Sequence, residues 1–389
     1  MASSPGSPVR SPWILRFMLA LWLLPAIQTA LNMKVLRPTR AGFVAALPRP
    51  DISWRTWWAG SLQPALETYA TQKLGLREWL VKPHNQLVYS VFGETTNTEV
   101  VQGQHGMLFE AGPLQAALGH QSLANEAQVA AQVRALRAVQ DTLARRGKLL
   151  VYVIAPSKPA LYPENLPDSC QRLWPRTTPY DLYRGPMQAA GLNVLDLIAL
   201  FRAWKPRSPY PLFPSGGIHW SGYGATRAAD TLWRYLEARG HFRLPRVRQT
   251  GLEISTTPRY TDDDLVRLLN LWVAPAPTPP LAYPTLEFDA PQAGERQPRL
   301  LLIADSFGWS FIEFYPYLEH LFAPGSTFWY YNHDVVWPQG SGPKEVASLD
   351  LRAELAAHDV VLLLFNTANM GGLDFGFGAQ AARVLAETP

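Results

Sequence analysis

Three short stretches of the 389-residue chain carry side chains suited to acyl-transfer chemistry. Asp305-Ser306-Phe307-Gly308 follows an apolar run at 299–304 that reads as a strand. A strand turning at once into a helix would set the Ser306 hydroxyl at a sheet edge, beside amide N–H groups that lack helical acceptors and can hold an oxyanion. Asp-Ser at a helix start is also ordinary capping, so the tetrapeptide alone does not decide. Gly216-Gly217-Ile218-His219-Trp220-Ser221 lies just ahead of a helical pattern running to Leu236. A histidine in such a loop is free to enter a cleft as a base for serine, the plainer alternative being a packed or capping histidine. Pro156-Ser157-Lys158-Pro159 ends the apolar run that begins at Leu149. Lys158 there is either a contact for a charged substrate group or a solvated loop residue.

The elements that must position these residues follow from hydrophobic period. Val129, Val133, Leu136, Val139 and Leu143 recur at steps of three and four, which predicts an amphipathic helix over 125–144. Leu149-Leu150-Val151-Tyr152-Val153-Ile154 is continuously apolar, as a parallel strand buried on both faces would be. The alternation then repeats, with helices near 180–190, 223–236, 309–321 and 345–357 and strands at 193–197, 299–304, 327–330 and 360–365. Strands alternating with helices predict a three-layer α/β/α sandwich with a mainly parallel sheet. In such a sheet ligands gather beyond the strands' carboxyl ends, where all three stretches fall. Gly103-Gln104-His105-Gly106 before Met107-Leu108-Phe109 reads as a hairpin turn, and two short helices are expected within 61–92. The segments at 168–176 and 274–298, the second dense in proline, interrupt the rhythm and read as loops or lids.

Composition narrows the function classes. The chain is 47% apolar and 17% charged, with a net charge of +4, too weak and dispersed for a nucleic-acid groove. Its single cysteine, Cys170, forms no intrachain disulfide and no cysteine-based metal centre. The eight histidines are scattered without ligand spacing, so no metal is expected, and the glycine runs at Gly340–Gly342 and Gly371–Gly378 lack the ending of a phosphate loop. No cofactor is implied. Arg10 and Arg16 precede an apolar run, and Trp13 to Met33 is about long enough to cross a bilayer. This order predicts a signal-anchor, with a cleaved signal peptide as the alternative, and places the rest of the chain outside the cytoplasm. The expected organisation is an anchor at 1–33, a tether and helical lead-in at 34–110, and an α/β domain at 111–389.

Taken together, these motifs resemble the AlgX/AlgJ family of polysaccharide O-acetyltransferases, whose catalytic domain is similar to SGNH hydrolases. The resemblance runs from the apolar amino terminus through Gly75-Leu76-Arg77-Glu78-Trp79-Leu80, Tyr89-x-x-Phe92-Gly93 and the Gly103-x-x-Gly106-x-Leu108-Phe109 turn. It continues through Pro156-Ser157-Lys158 with Tyr162-Pro163, the His219-Trp220-Ser221 loop and Asp305-Ser306-Phe307. Histidine precedes serine in the chain, the reverse of ordinary SGNH esterases.

The resemblance implies that Ser306 is the nucleophile and His219 the general base, with Asp305 and Lys158 in supporting roles. It implies a periplasmic protein held to the inner membrane, an exopolysaccharide substrate, and a membrane-bound O-acyltransferase-type partner that supplies acetyl. Asn332 and Asn366 are candidate side-chain donors to the oxyanion. Two positions depart from the family pattern: Gly217 stands where an Asp commonly orients the histidine, and Ala304 stands where Gly precedes the Asp-Ser pair. Orientation of His219 then falls to a backbone carbonyl, a water, or another acid such as Asp196, Asp264 or Asp305. Three functions are compatible with this pattern: a transferase, an acetylesterase using the same pair, and a catalytically weak subunit that binds or scaffolds polysaccharide.

Overall fold

A computed structural model of the chain describes residues 12–30, 49–73, 77–173, 177–338 and 344–387. The end of the apolar run at 31–33, the tether to 48, Gly75 and Gly340–Gly342 lie outside the described residues. Two compact units are present, one within Met1–Thr96 with Arg267–Ala274, the other within Asn97–Val266 with Pro275–Pro389.

In the first unit, helices α1 (Pro12–Ala30), α2 (Leu62–Lys73) and α3 (Arg77–Leu87) are described. Among the described residues no helix is long and apolar enough to cross a membrane, so the expected anchor is not seen as a spanning helix. Pro83 lies inside α3 instead of separating two helices. Leu80 and Leu87 of α3 are exposed.

The second unit carries the α/β domain. Its chain order begins with a hairpin of β1 (Val100–Gln102) and β2 (Leu108–Glu110), joined by a turn in which His105 and Gly106 both have positive φ. Next come α4 (Ala111–Ala117), α5 (Glu126–Arg145), β3 (Leu149–Ala155), α6 (Pro179–Ala189), β4 (Val194–Asp196), α7 (Leu197–Trp204) and α8 (Gly222–Gly240). Then follow β5 (Val247–Ser255), α9 (Asp264–Leu268), β6 (Leu281–Phe288), β7 (Leu300–Ala304), β8 (Thr327–Tyr330), β9 (Asp334–Trp337), β10 (Lys344–Glu345), α10 (Leu351–Ala357), β11 (Val360–Asn366) and α11 (Phe377–Ala386).

The main sheet has the order β10-β9-β8-β7-β11-β3-β4 and is parallel from β8 to β4, with β9 and β10 added antiparallel at one edge. The central strands β7, β11 and β3 are closed to solvent along almost their whole length, as a sheet covered by helices on both faces requires. One covering group is α5 with α6 and α11; α7 and α8 also pack on β3. Val129, Val133, Leu136, Val139 and Leu143 form the buried stripe of α5, as their spacing predicts, and Asn125 with Gln128 closes a capping box at its start.

Departures from expectation have local causes. Pro316 stops the helix foreseen at 309–321, leaving a 3-10 turn at Ser306–Phe311 and a single α-turn at Tyr317–Leu321. The helix foreseen at 345–357 starts only at Leu351, where the Asp350 carboxylate accepts from the amides of Arg352 and Ala353. The proline-dense stretch at 274–298 is not a loop throughout. Its residues Leu281–Phe288 pair antiparallel with β5 in a two-stranded ribbon, an arrangement whose free edges tolerate Pro284.

Leu363 is fully buried at the middle of β11, between β7 and β3. Leu363→Ala is expected to cost about 2–5 kcal/mol, read as a lower denaturant midpoint with an unchanged slope.

Candidate active site

Parallel register brings the carboxyl ends of four adjacent strands to one level: Asn366 of β11 aligns with Ala155 of β3, Leu364 with Ala304 of β7, and Ala304 with Tyr330 of β8. The residues just beyond those ends line a cavity of 450 Å³ that contains Ser306, His219, Lys158, Asn366 and Asn369. Ser306 opens the 3-10 turn after β7, so its amide N–H has no helical acceptor of its own. The Ala304 methyl is accommodated because Gly308 lies over it, a Cβ there falling 2.9 Å from that of Ala304.

His219 Nε2 lies 2.9 Å from Ser306 Oγ, and its Nδ1 lies 3.1 Å from Asp264 Oδ2. The other oxygen of Asp264 accepts the Ile218 amide at 2.8 Å, fixing the carboxylate against the histidine loop. Of the orienting groups open from sequence, Asp264 is the one in place. Asp196 caps α7 and accepts from Tyr180 and Arg184, while Asp305 accepts elsewhere. The geometry also accounts for Gly217. A Cβ at that position would sit 2.6 Å from the Thr261 carbonyl oxygen and 2.7 Å from Pro214 Cγ. The segment that delivers Asp264 fills the space a side chain at 217 would need.

The remaining residues of the His219-Trp220-Ser221 loop hold it in position. Trp220 is fully buried, packs edge-on against Phe307 and donates its indole N–H to Ser310 Oγ at 2.8 Å, tying the loop of His219 to the turn of Ser306. Ser221 caps α8, accepting from the Gly224 amide and donating to the Pro211 carbonyl. Lys158 is neither solvated nor extended toward a substrate. It is buried, with Nζ donating to the carbonyls of Ser215 and Gly217 at 2.8 Å each, so it clamps the histidine loop from beneath. Burial lowers its pKa to about 7.

Asp305 has a supporting role of a different kind from base orientation. Its buried carboxylate accepts from the Phe307 amide at 3.0 Å, from the Asn366 amide and Nδ2 at 2.7 and 2.8 Å, and from Asn369 Nδ2 at 2.9 Å. Burial raises its pKa against those bonds. Asn366 lines the cavity as foreseen, with one of its amide hydrogens committed to Asp305. Asn332 does not line it. Its side-chain nitrogen donates to the Phe375 carbonyl, and its backbone has positive φ in the turn after β8. Asn369, which the sequence does not single out, takes the position foreseen for Asn332: it lines the cavity beside Ser306 and also reaches the Tyr331 hydroxyl at 3.3 Å. Its only sequence signal is its place three residues beyond the last strand. Glu110, at the end of β2, lines the same cavity, and no pattern in the sheet's alternation pointed to it. No group of residues that could hold a metal ion occurs among the described residues.

Two outcomes test this arrangement. Asp264→Asn keeps the shape but loses the charge that orients the imidazole, and should lower turnover by about 10³–10⁴-fold with little change in melting temperature. Asp262, on the same segment, is buried and accepts from the Tyr283 hydroxyl at 2.6 Å, and burial raises its pKa to about 7. The folded state therefore keeps a proton that the unfolded state releases, so this group's contribution to stability falls as pH rises from about 4 to about 7. Denaturation curves across that range should show the unaltered protein losing stability relative to Asp262→Asn.

Residues 100–323, more than half of the chain, match the family model described as the SGNH hydrolase-like domain of acetyltransferase AlgX. That span contains His219, Asp264 and Ser306. The chain is 29% identical over 194 residues to the probable alginate O-acetylase AlgJ of Pseudomonas aeruginosa, covering 49% of this chain and 45% of the relative. It is 30% identical over 168 residues to that of Azotobacter vinelandii, covering 43% and 39%. The matches thus span less than half the length of these relatives. Among solved structures, the O-acetyltransferase domain of Pseudomonas putida AlgJ is similar with a TM-score of 0.46 at 20% identity, over 73% of this chain and 98% of that one. Pseudomonas aeruginosa AlgX gives 0.44 at 17%, over 74% and 66%. With a serine, a histidine and a carboxylate in hydrogen-bonded sequence inside the matched region, the chain belongs to the AlgX family of SGNH hydrolase-like acetyltransferases.

Proposed function

We propose that the chain is an O-acetyltransferase that acetylates an exopolysaccharide outside the cytoplasm through an acetyl-serine intermediate. The observation that carries this reading is the hydrogen-bonded series from Asp264 through His219 to Ser306 at the wall of an open cavity. In the first half-reaction His219 Nε2 takes the Ser306 proton as Oγ attacks the acetyl carbonyl, and the imidazolium then returns that proton to the departing donor group. Asp264 stabilises the imidazolium and fixes the tautomer that leaves Nε2 free to accept. In the second half-reaction a sugar hydroxyl gives its proton to His219 and attacks the acetyl-serine, and the imidazolium returns that proton to Ser306 Oγ as the bond between Oγ and the acetyl carbon breaks. The tetrahedral oxyanion of each step is held by the Ser306 amide, by the Asn366 side-chain N–H not used on Asp305, and by the Asn369 N–H that exchanges its longer bond to the Tyr331 hydroxyl for one to the oxyanion.

An inactive scaffold is the reading that Gly217 by itself would favour; the carboxylate of Asp264 within hydrogen-bond reach of His219 supports the active reading instead. Supply of acetyl by a membrane-bound O-acyltransferase-type partner, a periplasmic location and attachment to the inner membrane belong to the same proposal. They rest on the arginine-then-apolar order of the amino-terminal sequence and on family membership.

Ser306→Ala should leave the melting temperature unchanged and remove the acetyl adduct that intact mass measurement detects after incubation with an activated acetyl ester. The unaltered chain should transfer that acetyl to a sugar acceptor. Adduct formation at full level in the variant, or release of acetyl only as free acetate from the unaltered chain, would contradict the assignment.

A further inference from the structure

The charge inside the catalytic cavity bears on the acceptor sugar. Among the described residues that line it, the charged or chargeable side chains are Glu110, Lys158 and His219. Lys158 is committed to two carbonyls of the histidine loop, and His219 to Asp264 and Ser306. Among the described residues no arginine lines this space. The rest of the polar lining is uncharged: Gln121, Ser157, the hydroxyls of Tyr330 and Tyr331, and the amides of Asn366 and Asn369. Arg202 lines a smaller neighbouring cavity of 150 Å³, where its guanidinium donates to the Ala160 carbonyl and Asp181 lines the same space.

Glu110 therefore brings to the cavity a carboxylate with no free cation beside it among the described lining residues. It stands at the start of α4 but makes no side-chain cap there, so the helix does not occupy it. Burial raises its pKa, the field of His219 lowers it and that of Asp264 raises it, which couples it to the catalytic pair. A second carboxylate entering the cavity would push it further up, which is equivalent to a penalty on binding an anion. A neutral sugar meets no such penalty, and its hydroxyls can donate to the Glu110 carboxylate.

We infer that Glu110 is a specificity-determining residue that reserves the acceptor position for neutral sugars and disfavours polyuronates such as alginate. This rests on the transferase reading above and names the substrate class of that same site. Neutral acceptor chains fit a lining of amides, hydroxyls and two tyrosine rings, and repulsion at one carboxylate is enough to turn a preference between partners of the same shape.

The test compares a β-1,4-linked glucose hexamer with a β-1,4-linked mannuronate hexamer, binding to the full chain carrying Ser306→Ala, by calorimetry at low ionic strength. The neutral hexamer should bind about tenfold more tightly. Adding Glu110→Gln, which keeps the side chain's shape and removes its charge, should tighten the uronate and bring its affinity to within about threefold of the neutral hexamer's. Equal or tighter binding of the uronate to the Ser306→Ala chain, or a ratio that Glu110→Gln does not alter, overturns the inference. Acetylation of Ser306 in the unaltered chain by nitrophenyl acetate is read separately by intact mass. Absence of that adduct overturns the transferase reading and the inference with it, whereas an adduct together with a uronate preference overturns the inference alone.

Discussion

The Asp305 carboxylate, closed to solvent at the end of β7, accepts four hydrogen bonds: from the amide after the nucleophile, from backbone and side chain of Asn366 at the end of β11, and from Asn369 beyond it. Burying a carboxylate costs several kcal/mol, while a hydrogen bond to a charged acceptor returns about 1.5–3 kcal/mol. Burial still raises the Asp305 pKa, so the four bonds offset the desolvation without outweighing it. The same bonds set the direction of the turn that carries Ser306 and bring the two asparagine amides to its side. The strand ends, the turn of Ser306 and the amides of Asn366 and Asn369 are therefore positioned by one carboxylate, and the parallel register places it beside its donors' strand without further adjustment.

His219 is positioned by a second, largely separate set of contacts. Its loop is held by Lys158, whose Nζ bonds two of the loop's carbonyls, and is joined to the turn of Ser306 by the indole of Trp220. The hairpin takes part as well, since the Leu108 amide donates to the Ser215 carbonyl that Lys158 also bonds. Rigid placement of serine against histidine thus arises where two independently braced segments meet through Trp220, Phe307 and Ser310.

Much of this is legible in sequence where a periodic pattern and a strand end coincide. Val129 to Leu143, Leu149 to Ile154 and the apolar run before Asp305 fix their elements through burial alone, and the positions of Ser306 and His219 follow from what lies just beyond or before those elements. Residues whose role is set by a distant partner are not legible in that way. Lys158 looks like a loop lysine because its two acceptors are almost sixty positions away. Asp264 is one acid among several until the fold brings its turn against Ile218. The ribbon of β5 and β6 is hidden because the prolines that suggest a loop occupy positions that a two-stranded pairing leaves free.

Gly217 and Asp264 answer one requirement in a manner that excludes the usual one. The turn at 261–264 occupies the volume in which a side chain at 217 would lie, so the carboxylate can come from one place or from the other. A single change to Asp at 217 collides with that turn, and a single loss of Asp264 leaves the histidine without its orienting charge. Exchange between the two solutions requires coordinated change at positions far apart in the chain. The two sites are therefore epistatic, and lineages of this fold that adopt either solution are expected to keep it.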